Sequence, residues 1–457
     1  MDYKEFISNK FIKQKDSGFK IDKSELNPIL FDYQKDLVVW ALRKGKAALF
    51  TGTGTGKTFM QLSFADKVFQ RTKKPVLILS PLAVSKQKEL VARDILNIPA
   101  KVCECQEDVI DGINITNYEK LEKFNTSIFG GIVLDESSIL KSFTSSTRNL
   151  IIDLFKFTPY KLACTATPAP NDFMELGNHA EFLDVMTRPE MLSMFFYHDG
   201  GDTSKWRLKG HAVDKFWEFV SSWAAMLTMP SDLGYSDEGF KLPPLDIKEV
   251  VIKSDKKPEG CLFAFEAQDI QERRANRKAT LSDRVAECAN IVNSSEDIFL
   301  VWCDLNDESA ELKRQIKNSV EVKGSDNPEH KEKAMLDFAA GKIKCLISKP
   351  SICGFGLNFQ VCHKMAFVGL SDSFEQYYQA VRRCWRFGQK SPVEVFLITS
   401  ELEGAVLDNI KRKEKDADVM TQSMIAMTKD YVINNIKNSE YIDRTYKPKT
   451  DIIVPSW

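Results

Sequence analysis

The sequence predicts an α/β protein built from two parallel-sheet lobes in tandem, with a helical insertion between them and a helical C-terminal tail. Three observations lead to this fold class. Short apolar runs alternate with helical patterns over residues 28–184, and the alternation returns over 297–400. The apolar runs are continuous, as expected for strands covered by helices on both faces. The chain, at 457 residues, is also long enough for more than one compact core.

The first half of the chain divides into an arm and a lobe. Residues 1–27 are polar and Lys-rich and are expected to form an N-terminal arm, and residues 28–184 are expected to form the first lobe. The predicted strands of this lobe are Ala47–Phe50, Val76–Leu79, Ile132–Leu134 and Lys161–Cys164, and its predicted helices include Lys57–Phe69 and Val84–Leu96.

The second half begins where this rhythm breaks. Residues 185–250 are rich in Met and aromatic residues and are expected to form a largely helical insertion with its own apolar packing. A linker and helical region follows over 251–296, then a second lobe over 297–400 and a helical tail over 401–457. The predicted strands of the second lobe are Ile298–Cys303, Ser319–Val322, Cys345–Ser348, Met365–Val368 and Val393–Ile398, and its predicted helices include Pro328–Ala340 and Phe374–Arg386.

Composition narrows the class of protein. The chain has 63 basic and 64 acidic residues, so any contact with nucleic acid must come from local patterning rather than from a basic surplus. Its ten cysteines include no C-x-x-C pair, which favours buried, reduced thiols over a metal site or disulfides. No apolar stretch reaches about 18 residues, and the N-terminus is charged. We therefore expect a soluble cytoplasmic protein with no membrane contact. A monomer is a separate expectation.

A phosphate-binding loop is the strongest local signal. The segment Thr51–Thr58 reads T-G-T-G-T-G-K-T, follows a predicted strand and opens a predicted helix. Its glycines allow backbone N–H groups to surround phosphate oxygens at a helix N-terminus. Lys57 is expected to reach the β- and γ-phosphates of ATP, and the Thr58 hydroxyl is expected to bind Mg²⁺. Thr51 departs from the usual pattern, which begins with glycine.

Two acids end another buried strand of the first lobe. Gly131–Leu134 is apolar, and Asp135 and Glu136 follow directly. Because the ends of parallel strands meet at one edge of a sheet, both acids are expected near the phosphate loop. Asp135 would coordinate Mg²⁺, and Glu136 would act as the general base for the attacking water.

Further segments resemble the ordered boxes of superfamily-two helicases, whose fold is two RecA-like lobes. The segment Asp135–Ser138 is similar to the D-E-x-x box. The remaining similarities, in family order around it, are Phe31–Gln34 to the adenine-reading glutamine box, Leu79–Gln87 to motif Ia, Ile115–Glu119 to motif Ib, Thr165–Pro168 to motif III, Ser348–Asn358 to motif V and Gln379–Gln389 to motif VI.

The branch is similar to the Swi/Snf-like translocases, of compact viral or bacterial type, and this resemblance implies a bacterial or virus-infected cell. Thr167–Asn171 reads T-P-A-P-N, and Arg383–Gln389 reads R-C-W-R-F-G-Q, as in that branch. The resemblance covers residues 28–184 and 297–400 and leaves the insertion and both termini uncovered. Ser138 stands where the commonest form of the acid box has His, the residue that couples hydrolysis to motion in relatives.

The resemblance implies roles for individual residues. Catalysis would fall to Lys57, Asp135, Glu136, Arg383 and Arg386. Nucleotide binding would fall to Gln34, Thr53, Gly54, Thr55, Gly56, Lys57, Thr58, Gly356 and Gln379, with Mg²⁺ on Thr58 and Asp135. Nucleic acid would contact Ser85, Lys86, Thr116, Asn117, Ser348, Lys349 and Gly354, and coupling would involve Thr165 and Thr167.

Three functions stay open at this point. The first is an ATP-dependent translocase on duplex or branched DNA that remodels junctions or displaces bound protein. The second is a conventional helicase that tracks on single-stranded DNA or RNA. The third is a nucleic-acid-binding module with an impaired motor. Two further patterns are ambiguous: the basic run Arg273–Lys278 reads as a solvated helix face or a DNA contact, and Trp206, Trp217 and Trp223 read as core or as stacking platforms.

Overall fold

The structure is a computed structural model that describes most of the chain. The described residues are 16–141, 145–169, 172–199, 202–253, 270–353, 358–371, 373–401 and 404–437. None of the helices in these ranges combines the length and the apolar composition that a membrane span requires.

The first lobe alternates strands and helices. Its strands are β1 Lys46–Thr51, β2 Val76–Leu79, β3 Ala100–Val102, β4 Ile113–Thr116, β5 Gly131–Asp135 and β6 Tyr160–Thr165. Its helices are α1 Asp32–Lys44, α2 Lys57–Thr72, α3 Leu82–Leu90, α4 Ser146–Leu154 and α5 Leu176–Phe182, and a π-helical turn over Val91–Leu96 extends α3. The four strands that the sequence predicted are confirmed. The strands β3 and β4 went unrecognised because a polar residue interrupts each apolar run, Lys101 in β3 and Asn114 in β4.

The region after the first lobe is less helical than the sequence suggested. Two helices, α6 Arg188–Phe195 and α7 Val213–Ser221, flank an antiparallel hairpin of β7 Phe196–Asp199 and β8 Asp202–Leu208. The next two strands join the lobes themselves: β9 Ala224–Leu227 lies parallel to β1, and β10 Leu245–Ile252 extends into the second lobe. The expectation of a separate helical insertion is therefore wrong, since this segment supplies one edge strand to each lobe.

The second lobe repeats the α/β plan. Its own strands are β11 Phe299–Trp302, β12 Ser319–Val322, β13 Cys345–Ser348, β14 Lys364–Phe367 and β15 Val393–Ser400. Its helices are α8 Ile270–Ala279, α9 Leu281–Asn293, α10 Asn306–Gln315, α11 Pro328–Ala339, α12 Pro350–Cys353 and α13 Phe374–Val381. All five predicted strands are confirmed within one or two residues.

Each lobe is built on one parallel sheet. The strand order is β3-β4-β2-β5-β6-β1-β9 in the first lobe and β10-β15-β14-β11-β13-β12 in the second. Side chains alternate between the two faces of a strand, so Phe50 packs in one apolar core and its neighbour Leu49 in another on the opposite face. The same division separates Trp302 from Val301 in the second lobe. Burial on both faces explains the continuous apolar runs in the sequence.

A long C-terminal helix, α14 Gly404–Lys437, connects the lobes. Its beginning packs into the second-lobe core through Val406, Leu407 and Ile410. Further along, Met424 and Ile425 join one core of the first lobe, and Val432 joins the other. At about 1.5 Å per residue such a helix spans about 50 Å, which is enough to cross from one lobe to the other. Residues 438–457 of the predicted tail lie outside the described residues.

Candidate active site

The loop between β1 and α2 is shaped by two glycines with positive φ. Gly54 has φ +88° and Gly56, which caps α2, has φ +82°. A Cβ at Gly56 would also meet the side-chain amide of Gln34, which would have to shift. Glycine is therefore favoured at Gly56 chiefly by the backbone conformation.

Lys57 lies at the start of α2 and folds back over the loop. Its Nζ donates hydrogen bonds to the carbonyl oxygens of Thr51, at 2.8 Å, and Gly52, at 3.1 Å. Burial lowers the pKa of Lys57, and the nearby carboxylates of Glu136 and Asp135 oppose that shift. The ammonium is thus positioned at the mouth of the loop, where the resemblance places the phosphates.

Side chains behind the loop fix its conformation. Gln34 donates from Nε2 to the carbonyl of Thr55 at 2.9 Å, while its Oε1 accepts from the backbone N–H of Phe31 at 3.0 Å. The hydroxyl of Tyr33 donates to the same Thr55 carbonyl at 2.7 Å. Thr55 is buried, and its hydroxyl donates to the carbonyl of Gly52. In the described structure, Thr55 therefore supports the loop from behind.

Asp135 ends β5 with both carboxylate oxygens engaged. Gln61 of α2 donates to Oδ1 at 2.7 Å, and the ammonium of Lys88 lies 3.1 Å from Oδ2. Burial would raise the pKa of Asp135, but the charge of Lys88 and the bond from Gln61 outweigh it, and the pKa is lowered. Asp135 is therefore ionised and available as a ligand for a cation.

Glu136 follows in a left-handed backbone conformation, with φ +54°. Few residues other than glycine adopt this conformation, and it turns the Glu136 side chain out of the strand direction. Burial raises the pKa of Glu136, while the charge of Lys57 opposes the rise. Thr165, at the end of β6, donates to Oε2 of Glu136 at 3.4 Å and accepts from the backbone N–H of Thr167 at 3.1 Å. The two threonines predicted to couple hydrolysis to motion are thus linked to Glu136.

The second lobe brings two arginines to the same place. We predicted one helix over Phe374–Arg386, but α13 ends at Val381 and the arginines follow it in a turn. Arg383 is 4% exposed and donates to both oxygens of Gln379, at 3.3 and 3.4 Å. Burial and the neighbouring Arg383 lower the pKa of Arg386 to about 9. Gln379 is 1% exposed and contacts Arg383 from behind.

A cleft of about 460 Å³ separates the two groups of residues. Its walls include Gln34, Thr53, Gly54, Gly56, Lys57, Thr58, Asp135 and Glu136 from the first lobe, and Arg383 and Arg386 from the second. This volume falls in the range of small-molecule sites. Among the described residues, the buried Thr53 Oγ1 and Arg386 Nε at this cleft have no hydrogen-bond partner, which is typical of groups that a ligand satisfies.

The residues at the cleft suit Mg²⁺ carried by a nucleotide. Within the described ranges, no three His, Cys, Asp or Glu side chains come together as a group that could hold a metal ion. Mg²⁺, however, is typically bound by only one or two carboxylates together with substrate phosphates. Asp135 and the hydroxyl of Thr58 both line the cleft and match that donor set.

The lobes also touch beside the cleft. Phe387 of the second lobe packs against the phosphate loop, so that a Cβ on Gly54 would lie 2.9 Å from the Phe387 Cβ. The Phe387 ring is 4.8 Å from that of Phe240, which in turn lies 5.2 Å from Phe31. Lys141 and Glu375 form an ion pair between the lobes.

The predicted nucleic-acid residues fall into two sets. Three hydroxyls are buried and bonded internally: Ser85 to the carbonyl of Pro81, Thr116 to that of Cys103 and Ser348 to that of Val322. Among the others, Lys86 is exposed, Lys349 is half-buried, and Asn117 caps a 3₁₀ turn. Gly354 and the nucleotide candidate Gly356 lie outside the described residues.

The structure shows the surroundings of Arg277, in the basic run, and of the three tryptophans. Arg277 is buried and bridges Asp304, at 2.6 Å, so at this residue the basic run is not a solvated face. Trp217 and Trp223 are buried in the first-lobe core, as expected for packing residues. Trp206 lies in β8, with its ring 3.7 Å from that of His198.

Sequence reasoning missed Lys88 and Gln61, which bind Asp135. Neither belongs to a quoted glycine or acidic pattern, although both lie on predicted helices. Lys88 lies three residues after Ser85, close to one helical turn, and directly follows the segment Leu79–Gln87 that resembles motif Ia. A lysine in the middle of an apolar helix pattern was the available signal, since such a residue is seldom buried without a partner.

Comparison with known proteins finds a family match within the second half of the chain. Residues 283–388 match the family "Helicase conserved C-terminal domain". The chain is 23% identical over 462 residues to protein p41 of Acyrthosiphon pisum secondary endosymbiont phage 1, covering 86% of this chain and 98% of that protein. It is 20% identical over 416 residues to the Bos taurus SWI/SNF-related matrix-associated actin-dependent regulator of chromatin subfamily A-like protein 1. That match covers 82% of this chain and 43% of the bovine protein.

A solved structure is also similar. The Sulfolobus solfataricus SWI2/SNF2 ATPase core in complex with dsDNA is 16% identical, with a TM-score of 0.43, and the match covers 92% of this chain and 99% of that one. The family match over the second lobe, the bovine relative and the ordered boxes on two parallel-sheet lobes together show that the chain is similar to the Swi/Snf-like helicases of superfamily two.

Proposed function

We propose that this protein is an ATP-dependent DNA translocase, which couples ATP hydrolysis to movement along duplex or branched DNA. The observation that carries the proposal is the cleft between the lobes. Lys57, Asp135 and Glu136 line one wall, and Arg383 and Arg386 line the other. A site divided in this way is complete only when the lobes are close together, so ligand binding and lobe movement depend on each other.

The residues at the cleft suit hydrolysis of the terminal phosphate of ATP. Glu136 would accept a proton from a water molecule. The oxygen of that water would form a bond to the γ-phosphorus while the bond between the γ-phosphorus and the β-γ bridging oxygen breaks. Lys57 and the two arginines would stabilise the negative charge on the transferred group and on the departing ADP. Mg²⁺, when bound at Asp135 and Thr58, would neutralise charge on the β- and γ-phosphate oxygens.

Movement would follow from the opening and closing of the cleft. ATP contacts both walls, whereas ADP lacks the group that the arginines bind, so the closed form loses stability after hydrolysis. If each lobe contacts the DNA backbone with different strength in the open and closed forms, each cycle of ATP hydrolysis moves the protein one step along the DNA. Lys86 and Lys349 are the accessible candidates for phosphate contacts. The choice of DNA rests on the Swi/Snf-like boxes and on the bovine relative, which is named as a regulator of chromatin.

The test is steady-state ATP hydrolysis without nucleic acid and with single-stranded DNA, duplex DNA, a four-way junction or RNA, using Lys57→Ala as the blank. We expect strong stimulation by duplex or junction DNA, and displacement of a triplex-forming strand from the same duplex. Stimulation by single strands alone would instead establish a conventional helicase. Nucleic-acid binding without hydrolysis in any of these conditions would overturn the motor and leave a binding module.

A further inference from the structure

Lys88 is a buried cation at the wall of the cleft that the proposed hydrolysis does not use. It lies in α3, and its side chain is 1% exposed. Its ammonium is 3.1 Å from Oδ2 of Asp135 and also donates to Oε1 of Gln61. Burying an ammonium is unfavourable unless an opposite charge lies next to it. The position of Lys88 therefore depends on Asp135.

The two lysines at the cleft have different partners. The phosphate-loop lysine, Lys57, donates to the backbone carbonyls of Thr51 and Gly52. Lys88 instead contacts the carboxylate that the proposed function assigns to Mg²⁺. With Gln61 on Oδ1 at 2.7 Å and Lys88 on Oδ2, neither oxygen of Asp135 is without a donor. A metal ion that approaches Asp135 thus meets a positive charge already there.

We propose that Lys88 is a resident counter-ion that competes with Mg²⁺ for Asp135 and so sets the Mg²⁺ concentration at which the cleft binds a Mg–nucleotide complex. The inference rests on the proposed function, because it takes Asp135 as the metal ligand. Lys88 lines the cleft, so an ammonium that leaves Oδ2 has space to move into. Two cations on one carboxylate repel each other, and each disfavours binding of the other.

The competition has a testable consequence for binding, apart from hydrolysis. We would titrate Mg²⁺ at a fixed concentration of a fluorescent ADP analogue and follow binding by anisotropy in the wild type and in Lys88→Met. Methionine keeps most of the volume and removes the charge. The half-saturating Mg²⁺ concentration should fall by about tenfold in the variant. Binding of the analogue in EDTA should change less than threefold.

Lys161→Met is the matched control. Lys161 is likewise 1% exposed in the first lobe, but its ammonium donates to the carbonyl of Phe182 at 2.8 Å. Its removal also takes an ammonium out of a buried place, so any general effect of that change appears in both variants. The Mg²⁺ dependence of Lys161→Met should match that of the wild type. An equal shift in the two variants would overturn the proposal.

Lys88→Arg keeps the test decisive if Lys88→Met does not fold, as judged by its melting curve. A guanidinium binds a carboxylate through two bonds, so the half-saturating Mg²⁺ concentration should rise in Lys88→Arg. An unchanged or lower value there, or an unchanged value in a folded Lys88→Met, would show that Lys88 is only a structural partner of Asp135. Failure of every variant and the wild type to bind the analogue at any Mg²⁺ concentration would instead overturn the proposed function.

Discussion

The two lobes follow one plan of parallel strands, yet they present their cleft residues in different states. In the first lobe, Lys57 and Asp135 already have hydrogen-bond partners within the lobe. In the second-lobe wall, Arg386 Nε is buried and, in the described part of the chain, has no hydrogen-bond partner; in the first-lobe wall the same holds only for the hydroxyl of Thr53 among the described lining residues. The charged groups of the first lobe must therefore exchange existing partners when a ligand binds, whereas the burial of Arg386 Nε is not yet compensated.

This difference indicates what each half contributes. Groups that already have partners gain little free energy when a ligand replaces those partners. Buried polar groups without a partner gain the most free energy when a ligand supplies a hydrogen bond. This suits closure of the second lobe over a nucleotide held by the first. Four variants would sharpen this comparison or contradict it.

The largest effect is expected for Arg386→Ala. An arginine supplied across a cleft contributes about 10³–10⁵-fold to phosphoryl-transfer rates, so DNA-stimulated hydrolysis should fall by that order. The melting temperature should stay the same or rise, because a buried cation with an unsatisfied Nε is removed. Arg382→Ala is the control, since Arg382 lies 4.3 Å from the Trp385 ring centre as a packing residue. A loss below tenfold in Arg386→Ala would contradict the proposed role of the second lobe.

Glu136→Gln tests the first lobe. Loss of a general base typically lowers the rate by about 10²–10⁴-fold, and nucleotide binding should persist because Lys57 and the loop are unchanged. Since burial raises the pKa of Glu136, the wild-type rate should increase with pH up to a higher value than an ordinary glutamate would give. That acid limb should disappear in the variant. Retention of the limb in Glu136→Gln would assign the base to another group.

The stability of the protein in acid should depend on a buried histidine of the first lobe. Burial lowers the pKa of His179 in the first lobe to about 4 from an ordinary 6.5, so the folded protein favours the neutral ring. The free energy of unfolding therefore decreases as the pH falls from 6.5 towards 4, by about 3 kcal/mol at most, because the unfolded chain binds a proton on His179 in this range and the folded chain does not. Chemical unfolding should show this slope in the wild type. The slope should be smaller in His179→Gln; an equal slope would assign the acid sensitivity elsewhere.

The smallest effect is expected at the ion pair between the lobes. Lys141 is 39% exposed and its partner Glu375 is 12% exposed, and such pairs contribute about 0–1 kcal/mol. Lys141→Met should therefore weaken binding of a non-hydrolysable ATP analogue by at most about fivefold, and high salt should abolish the difference. Lys120→Met, which breaks an ion pair with Glu104 inside the first lobe, should leave binding unchanged. A salt-independent loss would indicate packing rather than charge.

Sequence reasoning succeeded where local pattern decides structure. The strands β2 and β13 are predicted to the residue because each is a short, mainly apolar run that is buried along its whole length. The phosphate loop is likewise a local signal, since glycines with positive φ and a following lysine stand next to one another in the chain. The predicted helix end at Arg386 is wrong by five residues, since the helix ends at Val381, and this is more than the one or two residues by which helix ends usually vary.

The rest depended on tertiary contacts. Ala224–Leu227 reads A-A-M-L, which favours a helix by intrinsic propensity, yet it forms β9 because the edge of the first sheet beside β1 offers backbone partners. The contact of Lys88 with Asp135 joins residues 47 positions apart, from a helix and a strand end. No local pattern specifies such a pair, although it determines the charge at the proposed metal site.

The helix α14 has a consequence for how the protein folds during synthesis. Met424, Ile425 and Val432 complete apolar cores whose other buried members lie between residues 26 and 240. The ribosome therefore synthesises nearly the whole first lobe before it synthesises the residues of α14 that cover this lobe. Such distant contacts form slowly and leave apolar surface open to aggregation in the meantime. We expect the nascent first lobe to need a chaperone, or slow translation of the last segment, until α14 emerges.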